Sequence, residues 1–239
     1  MNSGDTPDQR LSQLATPWTA MGQAQTPNGN PEEAQALVLE RYRPAVTKYL
    51  QKLARNADAA EELVQEFALR FLRGDFRQVR PERGRFRDYV KAALRNLVTD
   101  YYRKCGVAPG TLPPASQLAG GESLADNEFN DIWKKDLIMR AWAALRADAE
   151  SNGRLNYEAL RLKADDPMRQ AEDVAKLLSE QHRKSFTAAA VRQLQHRARE
   201  QFAGFLRDAV RASLPHGNAQ DVDEELADLG LLAYVKPQN

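Results

Sequence analysis

Apolar residues recur every three to four positions through most of the chain, and few stretches show the apolar–polar alternation of a half-buried strand. That period gathers them along one side of an α-helix. The pattern opens at Pro31, which suits a first helical turn, and continues through Leu37, Tyr42, Val46, Leu50 and Leu53. Pro44 predicts a kink, or a break into two shorter helices, because it lacks an N–H and crowds the preceding turn. "DAAEELVQEFALRFL", Asp58 to Leu72, predicts a second helix with Asp58 as N-cap, Glu61 completing a capping box and Gly74 as the stop. A third is expected from Phe86 to Lys104. Its inward stripe would be Phe86, Tyr89, Val90, Ala93, Leu97 and Tyr101, and its outward face Lys91, Arg95, Thr99 and Tyr102 with Asn96 at the edge.

Pro109, Gly110, Pro113, Pro114, Gly120 and Gly121 then crowd into one stretch, which no helix or strand tolerates. The helical period resumes in "NDIWKKDLIMRAWAALRADAE", breaks at "SNGR", and returns in "YEALRLKA", "AEDVAKLLSEQ" and "FTAAAVRQLQHRAREQFAGFLRDAVRASL". "DVDEELADLGLLAYVK" predicts a short closing helix. The expected fold is all-α with two helical domains joined by a Pro/Gly-rich linker. Its parts are a flexible arm over residues 1–30, a first domain over 31–105, a linker over 106–127, a second domain over 128–212 and a C-terminal extension over 213–239.

Composition narrows the function. The 239 residues, 42% hydrophobic, suffice for one or two modest cores. A single Cys and three His argue against an internal disulfide, a structural zinc or a Cys/His nucleophile. No apolar run reaches the roughly 18 residues of a membrane span. The N-terminus has no apolar core of the signal-peptide kind, so the expected location is the cytoplasm, away from the membrane. With no paired acid and base, metal set or phosphate loop in the sequence, neither an enzyme nor a cofactor is expected.

The 34 Lys plus Arg and 33 Asp plus Glu cancel in total but separate along the chain. On the second helix, Ala60, Leu63, Val64, Phe67 and Phe71 fall on one side, and Glu62, Gln65, Glu66, Leu69 and Arg73 on the other. A solvated face accounts for the acids. Leu69 among them fits instead a protein contact with an apolar centre and a charged rim. Next comes a basic cluster, Arg77, Arg80, Arg83, Arg85, Arg87, Lys91, Arg95, Arg103 and Lys104, interleaved with Phe76, Phe86, Tyr89, Tyr101 and Tyr102. Guanidinium groups beside aromatic rings are what phosphates and unstacked bases need, and Asn96 has the amide for a base edge. A plain solvated basic helix is the alternative.

Further on, "EDVAKLL" and "TAAAVRQLQHRAR" make a helix-turn-helix candidate whose second helix opens at Thr187. Arg183, Lys184, Arg192, Arg197 and Arg199 there face the single acid Glu200. The turn exceeds the usual three or four residues, and two packed core helices with a loop are the alternative.

In this order, "AAEELVQEFALRFL", "FRDYVKAALRNLVTDYYRK" and "AVRQLQHRAR" resemble conserved regions two and four of bacterial extracytoplasmic-function (ECF) sigma factors, of the sigma-70 superfamily. "TPWT", "PERGRFR" and "EELADLGLLAYV" extend the resemblance, which covers most of residues 34–235, toward a subgroup from environmental bacteria. The resemblance implies a non-enzymatic subunit that binds core RNA polymerase, recognises promoter DNA and initiates transcription. Glu61, Glu62, Leu63, Gln65, Glu66 and Leu69 would meet the clamp helices of the largest polymerase subunit. Phe76, Arg85, Arg87, Lys91, Arg95, Asn96, Arg103 and Lys104 would serve the minus-10 element. Thr187, Arg192, Gln193, His196, Arg197 and Arg199 would serve the minus-35 element, and the linker would thread along polymerase. An anti-sigma factor, a kinase or the chain's own ends would hold such a subunit in check. The competing reading is a stand-alone helix-turn-helix regulator, for which the acidic helix has no evident use.

Overall fold

The computed structural model describes residues 31–54, 56–73, 75, 85–106, 124–214 and 218–235. Among them every regular element is a helix, so the expected all-α class holds. The expected arm and the linker stretch 107–123 lie outside the described residues. The chain divides into two units, Met1–Asp136 with Arg211–Val222, and Leu137–Val210 with Asp223–Asn239.

In the first unit, α1 (Pro31–Leu53) packs along α2 (Ala57–Arg73) and α3 (Phe86–Lys104). The expected break at Pro44 does not occur: α1 is one helix with the proline inside it. Pro44 and Glu40, whose carbonyl loses its helical donor to the proline, are both exposed, while Tyr42, Ala45 and Val46 are buried. Packing on the inner face carries the helix past the missing bond. The cap of α2 also differs from expectation. Asn56, not Asp58, accepts the Ala59 N–H through Oδ1 at 2.7 Å, and Asp58 stands in the first turn, where a negative charge suits the positive helix end. The expected stop at Gly74 lies outside the described residues.

The helix α4 (Leu124–Asn152) starts earlier than the sequence pattern predicted and runs through the boundary expected at 127/128. Its first half belongs to the first unit. Ala125, Phe129 and Trp133, four residues apart, are buried there. Trp133 stacks on Tyr42 with centroids 4.4 Å apart and also meets Phe86, and Phe129 meets Tyr49 edge-on at 5.6 Å. This half of α4 is therefore core to the first unit, where residues 124–127 were expected in the linker and 128–136 in the second domain.

The second half continues the same spacing with Leu137, Ala141, Leu145 and Ala149 in the core of the second unit. There α5 (Asn156–Asp165), α6 (Ala171–His182) and α7 (Ala188–Arg211) share a cluster of Ala159, Val174, Ala175, Leu178 and Val191, with Phe186 and Leu194 against it. Trp142 meets Phe202 at 5.0 Å and carries the Arg161 guanidinium over its ring. Arg183 ends α6 in the left-handed region, φ 51°. The five residues 183–187 then lead into α7, with the Phe186 N–H on Ser179 Oγ and the Ala190 N–H on Thr187 Oγ1. The expected single closing helix is two, α8 (Ala219–Asp228) and α9 (Leu232–Val235), because Gly230 turns the chain at φ 64° and leaves the helical path.

Candidate functional site

Three helices carry the residues singled out by the sequence, and each presents them differently. On α2 the core side is Ala59, Ala60, Leu63, Phe67 and Phe71, all buried. Leu63 has no exposed surface, so its expected role in a partner contact is corrected: it faces inward, at the same helical phase as Phe67 and Phe71. Glu61, Glu62 and Gln65 are exposed and Glu66 is half-buried. Leu69 is 48% exposed and Leu72, which the sequence reading did not single out, is 43% exposed. The i,i+3 spacing of these two leucines was the available signal. Together they give the acidic side an apolar centre.

Two of the acids are held in place. Glu66 Oε1 accepts the Arg70 Nε–H at 2.7 Å, and that bond keeps its carboxyl below the ordinary carboxylate range. Glu62 Oε2 accepts the Tyr101 hydroxyl of α3 at 3.0 Å, which, together with lesser desolvation, pushes the phenol up to about 12. The acidic side of α2 is thus tied to the C-terminal end of α3.

On α3 the faces are rotated from the expectation. Tyr102 and Lys91, expected outside, are buried, while Tyr89, Ala93 and Tyr101, expected inside, are only half-buried. The cause is α4. Arg87 Nη1 donates to Asn130 Oδ1 at 3.1 Å, Lys91 Nζ reaches the same oxygen at 3.4 Å and Asp88 at 3.2 Å, and Arg95 Nη2 donates to Asp126 Oδ1 at 2.6 Å. The long side chains lay their stems on apolar surface and deliver their heads to α4. Arg87 and Lys91 are accordingly not surface groups, whereas Arg95 keeps a quarter of its side chain exposed. Asn96, Arg103 and Lys104 are exposed, with Arg103 paired to Asp100 at 2.8 Å. Arg85 is half-buried in extended conformation just ahead of α3, and Phe76 lies outside the described residues.

The sequence reading missed Tyr49, Asp126 and Asn130. The run Ala125, Phe129, Trp133, Leu137 was the signal that the helix begins before Asn130; it was overridden by the Pro/Gly stretch upstream.

On α7 the six expected contacts are all exposed. Thr187 caps the helix, Gln193, Arg197 and Arg199 face solvent, Arg192 Nη2 meets Glu172 Oε1 of α6 at 2.8 Å, and His196 lies 3.5 Å from Glu200. Gln195, between them, is buried and donates to the Ala159 carbonyl.

Among the described residues no group of His, Cys, Asp and Glu is arranged to hold a metal ion, and no helix is long and apolar enough to cross a membrane.

Residues 38–106 match the family model described as Sigma-70 region 2. That segment is similar to sigma-70 region 2. The match spans α1 from Val38, α2 and α3, so both the acidic side of α2 and the basic residues of α3 belong to it, whereas Asp126 and Asn130 lie beyond it. It supports membership of the sigma-70 family, whose members are not enzymes but serve as sigma factors of RNA polymerase, acting with the core enzyme on promoter DNA. No curated protein and no solved structure matches the chain.

Proposed function

We propose that the chain is a promoter-specificity subunit of the extracytoplasmic-function group, working in the bacterial cytoplasm. Glu61, Glu62, Gln65, Glu66 and Leu69 dock on the clamp helices of core polymerase. Asn96, Arg103, Lys104 and the exposed edge of Arg95, with the segment before α3 that includes Phe76 and Arg85, serve the minus-10 element. The second unit serves the minus-35 element through a helix-turn-helix of α6 and α7. Thr187, Arg192, Gln193 and His196 are its base contacts, and Arg197 and Arg199 stand nearer the backbone.

The observation that carries this reading is the solvent side of α2. Four acidic or amide residues surround exposed Leu69 and Leu72 on a helix of region 2 whose opposite side is fully committed to the core. A surface intended only for water has no use for that apolar centre. Glu62→Lys combined with Glu66→Lys is expected to abolish binding to core polymerase while thermal unfolding stays near wild type. Undiminished binding would refute the assigned surface.

A further inference from the structure

Arg95, Asp126 and Tyr49 come from three helices of the first unit and meet at one oxygen. Asp126 Oδ1 accepts the Arg95 Nη2–H at 2.6 Å and the Tyr49 hydroxyl at 3.0 Å. The Asp126 side chain is 3% exposed, whereas 26% of the Arg95 side chain is exposed. Burial raises the Tyr49 phenol well above its ordinary pKa, so it remains a donor to Asp126 throughout the physiological range.

A carboxylate this deeply buried is tolerable only when donors surround it. Asp126 is fixed in turn by its neighbours on α4, since Ala125, Phe129 and Trp133 are core residues and Glu128 pairs with Lys52 at 3.1 Å. One nitrogen of the Arg95 guanidinium is therefore clamped by a rigid group. The guanidinium also meets the Tyr49 hydroxyl, while about a quarter of the Arg95 side chain stays exposed beside exposed Asn96.

We propose that Asp126, outside the matched segment, is a positioning residue that holds Arg95 ready for a DNA phosphodiester, with Tyr49 as its brace. A free arginine loses rotamer entropy on binding a phosphate; a clamped one has already lost it, and its planar fork needs a fixed orientation to bind two oxygens. The charge of Asp126 works in the opposite direction, because it partly neutralises the cation. The benefit is geometric and must be tested with the charge kept. This inference rests on the sigma-factor reading and assigns no new partner class; it names what aims one of the DNA-facing cations.

The test uses the full chain, with a fluorescein-labelled oligo-dT strand and a mixed-sequence duplex as probes, read by anisotropy at low salt. Asp126→Glu keeps the charge and displaces it by a methylene. Tyr49→Phe keeps the buried ring and removes the brace, and Arg95→Lys keeps the cation and removes the fork. Each is expected to lower affinity for at least one probe by about fivefold, within the coupling range of contacting residues. The probe that responds tells whether the phosphate belongs to unpaired or paired DNA. In the Arg95→Lys background Tyr49→Phe should have no further effect on affinity. A merely structural brace would cost the same in both backgrounds, and additive losses would overturn the proposal. So would unchanged or increased affinity in folded Tyr49→Phe protein, the increase being what α4 acting as a cover over Arg95 would give. Binding of core polymerase by the same variants separates the two readings: if polymerase binds and DNA affinity is indifferent to Tyr49, this inference falls alone.

Discussion

At the residue scale, leucines six positions apart on α2 have opposite fates. Leu63 is fully buried and Leu69 about half exposed. Leu63→Ala is expected to destabilise the first unit by about 2–5 kcal/mol in urea unfolding, since it empties a fully buried core position. Leu69→Ala should leave stability within about 0.5 kcal/mol and act on polymerase affinity instead. The same helical phase that identified the core of α2 in the sequence also placed Leu63 inside. Its inclusion among the contact residues came from the family resemblance, and geometry withdraws it. Tyr101 offers a second test at this scale. Its hydrogen bond to Glu62 favours the neutral phenol, so the contribution is complete below the ordinary tyrosine value near pH 10 and is lost as pH rises through about 12. Ultraviolet titration of wild type minus Tyr101→Phe should show a phenol ionising near 12, and a midpoint near 10 would mean the bond is absent in solution.

At the element scale, most helices were legible and α3 has the limits its pattern predicts, Phe86 to Lys104, whereas α1, the start of α4 and the closing pair differ. Proline at position 44 reads as a breaker because sequence rules weigh the missing N–H, whereas the buried Tyr42, Val46, Tyr49 and Leu50 decide the outcome. Pro44→Ala, at an exposed position, is accordingly expected to stabilise the protein, by up to about 3 kcal/mol, with a raised unfolding midpoint as the readout. The start of α4 was obscured for a related reason: Pro and Gly upstream announced a linker, and the amphipathic run beginning at Ala125 was too short to outweigh them. That error hid the partners of Arg87, Lys91 and Arg95, and with them the true orientation of α3. If the first half of α4 is core to the first unit, Trp133→Ala should cost about 3–5 kcal/mol in urea unfolding, and a loss below about 1 kcal/mol would contradict it.

At the scale of the whole molecule, two units with exposed cations are joined through one chain. On the proposed reading, either unit alone would make few phosphate contacts, and these weaken steeply with salt. Holding both on one partner raises the effective concentration of each at its own DNA segment, which a weak contact needs. The near-neutral total charge fits the proposed division of labour, in which the acidic side of α2 offsets the cations elsewhere and meets a protein surface. The central claim is that this chain confers promoter choice on polymerase. The most direct measurement is transcription from genomic DNA by core polymerase with and without the purified chain, with transcript starts sequenced. The expected result is a set of new starts preceded by shared minus-10 and minus-35 elements, lost with the Glu62→Lys, Glu66→Lys double variant. An unchanged set of starts, with the chain folded and in excess over polymerase, would contradict it.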